Sequence, residues 1–117
     1  MKFIADLHIH SRFSRATSRD LNPENLAFWA AKKGIALVGT GDFTHPAWFE
    51  ELNKTLVEKE NGLYGLKPEH EKRVMATIPA NCLSQARFIL SGEISCIYKK
   101  GDRTRKLHHL ILMPDFE

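Results

Sequence analysis

The stretch from residue 2 to residue 42 restricts the fold more than any other part of the chain. KFIADLHI (2–9) reads as a short buried strand, NPENLAFWAAKKG as a helix, and IALVGTGD (35–42) as a second apolar strand buried on both sides. Asn22 suits an N-cap, Pro23 the first turn, Glu24 the positive end of the helix dipole, and Gly34 the stop. Leu26, Trp29, Ala30 and the stem of Lys33 form the expected inner stripe. Strand, helix and strand with short joins make a βαβ unit, so the first two strands should run parallel in one sheet.

Beyond that unit, a second helix is expected from Pro46 through PAWFEELNKTLVEK. NGLYGLKP, with two glycines and a proline, reads as a loop or a short hairpin arm. Residues 69–85 suggest a broken helix. RFILSGEISCIYKK (87–100) and RKLHHLILMP (105–114) are both strand-like, and GDRT between them predicts a hairpin. Three to four strands and two helices do not close an α/β barrel, which takes about 250 residues in its eightfold form. Residues 1–117 are therefore expected to be part of a larger barrel domain, with IALVGTG and KLHHLILM as interior strands.

Composition narrows the function classes. The chain has 117 residues, 43% of them hydrophobic, enough for one modest core. The net charge of +3 is a mild excess, compatible with a polyanionic partner. Two cysteines, Cys82 and Cys96, are too few for a disulfide framework and read as reduced thiols of a cytoplasmic protein. Apolar runs stay short of the roughly 20 residues of a membrane span, so no membrane partner is expected. No GxxxxGK[ST] loop is present, and no nucleotide cofactor is expected.

The chemistry concentrates in DLHIHS (6–11). On a strand, His8 and His10 would point the same way about 6.6 Å apart. Two imidazoles so placed can lean onto one metal ion, at roughly 2.0–2.1 Å for zinc. Asp6, one step back, would accept a ring N–H from a ligand histidine or be a ligand itself. Ligand sites of α/β folds lie at the carboxyl ends of strands. GTGDFTHP places Asp42 and His45 just past such an end, although Asp42 also suits a turn. Glu93 in LSGEIS is an acid among apolar residues, which is expensive without a partner; the plainer reading is an exposed strand face. His108 and His109 in KLHHLIL fall on opposite faces of their strand, so one of the two can join the cluster. Histidines with carboxylates suit zinc first, with manganese, iron or magnesium as alternatives.

These motifs, in this order and spacing, resemble the polymerase and histidinol phosphatase (PHP) domain family. The resemblance spans nearly the whole chain. It implies the N-terminal part of a distorted (β/α)7 barrel, up to three divalent metals, and phosphoester hydrolysis. By motif position it assigns His8, His10, Asp42, Glu93 and His108 as metal ligands, with His109 second to His108. Asp42 stands where commoner members carry the histidine of a TDH motif. DLHIHSRFSRATS, GTGDFTHP, LSGEIS and HHLIL look most like the endonuclease Q branch, whose members nick DNA 5′ of deaminated bases and abasic sites. Two departures stand out. Arg15 and Ala16 occupy the loop where many members have an acid or histidine, and a late Asp-x-His would lie beyond Glu117.

The function expected from these readings is metal-dependent phosphodiester cleavage in DNA, with His8, His10, Asp42 and Glu93 at the catalytic centre. Arg12, Arg15 and Arg19 after the metal motif are candidate contacts to the DNA backbone. So are Lys99, Lys100, Arg103, Arg105 and Lys106 on the hairpin, although KKGDRTRK also reads as a solvated turn. The alternatives are a small-molecule phosphatase of the histidinol phosphate type and a PHP module without catalysis.

Overall fold

The computed structural model describes residues 1–82 and 85–117. Its first helix, α1 (Pro23–Lys33), begins where Asn22 accepts the Asn25 backbone N–H through its side chain. It ends at Gly34, whose φ of 73° lets its N–H return to the carbonyls of Ala30 and Ala31. That helix joins β1 (Ala5–Asp6) to β2 (Leu37–Gly39), and the two strands pair in parallel. The expected βαβ unit is therefore present.

Next come α2 (Pro46–Thr55), β3 (Leu56–Glu60), β4 (Leu63–Leu66), α3 (Pro68–Met75), β5 (Arg87–Lys100) and β6 (Arg103–Met113). The sheet runs in the order β1-β2-β5-β4-β3, with β6 also paired to β5. β5 is parallel to β2 and antiparallel to β4 and β6. β5 is thus the axis of the molecule. Its first residues supply Phe88 and Leu90, both wholly buried, and its residues from Ile94 onward project into solvent with β6.

The core lies between this sheet and the helices. Trp48 and Leu52 of α2 meet Phe88, Leu90, Val38, Leu56 and Leu66, with Ala27 and Ala30 of α1 alongside. Fully burying one such leucine or phenylalanine side chain contributes about 1.5–3 kcal/mol. Trp48 also donates its indole N–H to the carbonyls of Thr40 and Gly41, at 3.2 and 2.9 Å. That contact ties α2 to the end of β2, where the chemistry lies. Glu24 of α1 pairs with His70 and Arg73 of α3, closing the other side.

Several expectations need correction. Regular strand in the first segment covers only residues 5–6, and Phe3 and Ile4 are exposed. Within α1 the buried face is Pro23, Ala27, Ala30 and Ala31; Trp29 is 52% exposed. With Leu26, it lines an open groove beside β1. The helix from Pro46 stops at Thr55, and the LVEK that follows it becomes part of β3 because it pairs with LYGL of β4. Among the described residues the sheet therefore has six strands beside three helices. In residues 69–85 one short helix, α3, is followed by turns, and positions 83 and 84 lie outside the described residues. The hairpin of residues 87–113 forms as expected, with a two-residue turn at Gly101 and Asp102. KLHHLILM is exposed over most of its length in this chain, as expected of a strand whose covering neighbours lie outside residues 1–117. No helix among the described residues is long and apolar enough to cross a membrane.

Candidate metal centre

Five of the sequence-selected side chains meet where the carboxyl ends of β1 and β2 face the β5–β6 hairpin: His8, His10, Asp42, Glu93 and His108. The cause is partly local and partly long-range. Past β1 the backbone of residues 7–10 runs against the end of β2, so closely that a Cβ on Gly41 would lie 2.2 Å from the Ile9 carbonyl oxygen. Gly41 has φ +64°, a left-handed conformation that glycine adopts freely. Asp42 follows at φ +46°, which aspartate tolerates better than most residues. This double turn aims the Asp42 carboxylate back at residues 10 and 11.

There it is fully engaged. Its Oδ1 lies 3.0 Å from His10 Nδ1, while Oδ2 accepts the Ser11 backbone N–H at 2.7 Å and the Ser11 hydroxyl at 2.8 Å. Burial pushes the Asp42 carboxyl up, but the hydrogen bonds from His10 and Ser11 outweigh it and leave the pKa below its ordinary value. An ionised carboxylate only accepts, so His10 Nδ1 carries the hydrogen. In the neutral ring the Nε2 lone pair then points the other way.

It points at Glu93. His10 Nε2 lies 3.3 Å and His8 Nε2 2.7 Å from the same Oε2. His108 Nδ1 contacts the other oxygen, Oε1. Register explains the last contact: Glu93 sits opposite Leu110, so His108, two residues away on β6, shares its face. His109, opposite Ile94, falls on the other face. The hydrogen bonds of His8 and then His108 hold the Glu93 carboxyl below its ordinary value.

Ligand atoms of His8, His10 and Glu93 all lie within 4.8 Å of one another. With His10 neutral its Nε2 lone pair faces a carboxylate oxygen, an acceptor against an acceptor that either a second ring proton or a bound cation satisfies. Two imidazole nitrogens and a carboxylate are also a donor set that zinc and its neighbours accept. On this structure's own geometry, the residues fit a divalent metal.

The other selected residues divide. Asp6 receives the His8 backbone N–H at 3.4 Å, not a histidine ring, so the orienting role expected of it falls to Asp42. His45 caps α2, its Nδ1 accepting the Trp48 N–H at 3.4 Å. Arg12 is committed to Glu51, with contacts of 3.0 and 2.7 Å. Arg15, Arg19, Lys99, Lys100, Arg103, Arg105 and Lys106 are exposed. Sequence reasoning passed over Ser11 and Ser91. Ser11 is wholly buried against Asp42; Ser91, equally buried, accepts the Gly41 N–H at 2.8 Å through its hydroxyl. A serine directly after the second histidine was the one available signal for the first.

Comparison with known proteins bears on the fold that carries this geometry. No family model matches the chain. An uncharacterized protein of Methanocaldococcus jannaschii, MJ0043, is 53% identical over 49 residues, covering 42% of this chain and 6% of that protein. Two solved structures are similar over more of it. One is the lesion-specific endonuclease PfuEndoQ from Pyrococcus furiosus, with TM-score 0.62 and 31% identity over 94% of this chain. The other is Endonuclease Q bound to a 27-mer duplex with an abasic lesion at the active site, with TM-score 0.57 and 32% identity over 76%. The chain spans 22% and 18% of those two structures. Its mixed α/β fold is thus Endonuclease Q-like over the aligned part.

Proposed function

We propose that residues 1–117 form the metal-binding part of a PHP-type, metal-dependent DNA endonuclease that acts at deaminated bases or abasic sites, as Endonuclease Q does. One observation carries the reading: three histidines, two from residues 8–10 and one from β6, converge on the single carboxylate of Glu93. The likeness to lesion-specific endonucleases supplies the substrate class.

In this reading His8, His10 and Glu93 hold a divalent metal, zinc first, and His108 steadies the second oxygen of Glu93 or joins the ligand set. A metal so bound supplies Lewis acidity and lowers the pKa of water toward about 7. Asp42 fixes the tautomer and orientation of His10, and Ser11 fixes Asp42. Outer partners of this kind typically change metal affinity by about 10–100-fold. The exposed cations of the β5–β6 turn hold backbone phosphates, a contact that positions DNA without reading its sequence.

The test is a His8→Ala/His10→Ala variant of the full-length protein. Bound metal, by elemental analysis, and cleavage of duplexes carrying a deaminated base or an abasic site should be lost together. Unchanged metal content contradicts the assignment. Hydrolysis of small phosphate esters with no action on DNA would replace it with the phosphatase reading.

A further inference from the structure

The cavity beside the metal centre holds about 400 Å³, and its hydrogen-bonding groups are unevenly spent. Asp42 and Glu93 line it with acceptors already engaged by His8, His10, Ser11 and His108. The remaining polar lining is the ring of His45 and the hydroxyls of Ser14 and Thr44, with no lysine or arginine among the described residues around it. His45 is fixed in place. Its backbone N–H donates to the Asp42 carbonyl at 2.8 Å, and its ring stacks on Phe13, with centroids 4.7 Å apart and planes at 17°. As the cap of α2, its Nδ1 accepts the Trp48 N–H at 3.4 Å. A ring nitrogen that accepts carries no hydrogen, so the hydrogen of this imidazole is on Nε2. Nε2 lies across the ring from the cap, and no acceptor among the described residues meets it.

A neutral donor held rigid beside two spent carboxylates suits an acceptor-rich anion whose charge a metal meets. We infer that the Nε2–H of His45 donates to a non-bridging oxygen of the phosphate group held at the metal centre, so that the residue capping α2 is also a substrate-binding residue. The inference rests on the nuclease reading above, which supplies the phosphodiester. A lysine or arginine in this place would pair with Asp42 or Glu93 and draw them from their histidines; a neutral imidazole leaves those contacts intact. The Ser14 and Thr44 hydroxyls, which rotate to suit a partner, can serve the same group. A donor already oriented by its cap and its stacked neighbour needs no reorganisation when the phosphate arrives.

Two substitutions separate the cap from the donor. Asparagine puts its side-chain oxygen where Nδ1 caps the helix and reaches no further. Glutamine carries an N–H out to the place of Nε2 and caps poorly. On a duplex with an abasic site, His45→Asn should lower kcat/KM by about 10- to 150-fold, the worth of a hydrogen bond to a charged group, with the thermal midpoint near wild type. His45→Gln should recover most of that activity at a lower midpoint. Activity that follows the midpoint instead overturns the inference, because His45 is then a cap and nothing more. Sulfur placed in turn at each non-bridging position of the scissile phosphate reads the contact directly. His45→Asn should cost less on one of the two diastereomers, whose sulfur already accepts poorly; an equal cost on both and on the oxygen substrate overturns the inference. Proton–nitrogen correlation NMR of the metal-free protein should find the His45 ring hydrogen on Nε2, and a hydrogen on Nδ1 overturns it too. Should the wild-type protein cleave no lesion-bearing duplex, the nuclease reading fails by itself. The donor is then tested by calorimetry of inorganic phosphate with the zinc-loaded full-length protein. Weaker binding in His45→Asn and not in His45→Gln supports it, and equal binding in all three proteins overturns it.

Discussion

Replacing Gly41 with alanine should damage stability and metal binding through one displacement. The new Cβ would stand 2.2 Å from the Ile9 carbonyl oxygen and 3.2 Å from the His10 Cα. Ordinary contact begins near 3.4 Å, so the two backbones must part by about 1 Å. Both contacts are main chain, which no side-chain rotation can relieve. The left-handed conformation at Gly41 adds about 1–2 kcal/mol for any residue with a Cβ, and overpacking adds about 1–3 kcal/mol. The expected loss is therefore about 2–5 kcal/mol. Gly101 provides an internal control. It has nearly the same φ, +62°, with nothing within 4 Å of an added Cβ. Gly101→Ala should show the conformational cost alone, about 1–2 kcal/mol. Urea unfolding of both variants with chelator present measures the difference, and titration with zinc measures the effect on the site. Because the strain falls between Ile9 and His10, zinc affinity should drop in Gly41→Ala and stay at the wild-type value in Gly101→Ala. Equal destabilisation of the two variants would refute the claim of a rigid seam between residues 7–10 and the end of β2.

Other expectations follow from the same geometry. Asp42→Asn should weaken zinc binding by about 10–100-fold while the fold persists by circular dichroism; unchanged affinity would show that His10 needs no orienting carboxylate. The Asp42 pKa is depressed in the folded state, so its stabilisation is complete above its ordinary value of 3.8 and lost as pH falls through the lower folded value. Metal-free wild type should thus lose more thermal stability than Asp42→Asn on acidification below that point, and parallel curves would remove the linkage. Neutralising Lys99, Lys100 and Arg103 should flatten the salt dependence of DNA binding, by roughly 0.9 in log–log slope for each phosphate no longer neutralised; an unchanged slope would mean the turn does not touch DNA. Ile97 is 67% and Leu107 46% exposed on the hairpin, and Trp29 stands open beside β1. The isolated 117-residue chain should therefore self-associate in size-exclusion chromatography, whereas a monomer with a sharp high-temperature transition would show these surfaces to be harmless.

What was legible in the sequence was what local chemistry decides. Asn22, Pro23 and Gly34 bound α1 where capping rules put them, and the apolar run of residues 87–92 became the buried half of β5. LVEK (56–59) was misread because its composition continues a helix, while its pairing with LYGL in the neighbouring strand makes it β3. Trp29 was misread because helix periodicity identifies an apolar stripe without saying which neighbour covers it. At the site, the spacing of His8 and His10 drew attention to the right residues for an incomplete reason. Regular strand ends at Asp6, so the convergence of the two rings comes from the turn at Gly41 and Asp42 and from Glu93, not from strand alternation. Ser91 was invisible because its partner lies 50 positions away, and Ser11, whose partner lies 31 away, was marked only by its place after His10.

β5 is one unbroken strand from the core, past Glu93, to the cationic turn. Mechanically it is a cantilever, clamped at Phe88 and Leu90 and free at Lys100. Glu93 sits just outside the clamp, and the free arm beyond it extends roughly 23 Å at about 3.3 Å per residue. A force on the tip, such as a phosphate backbone pulling on its lysines, bends the arm most sharply near its root. The carboxylate on which three histidines converge stands at that root. Whatever grips the distant end of the hairpin therefore loads Glu93 and the histidines around it directly, with no intervening hinge or loop to absorb the strain.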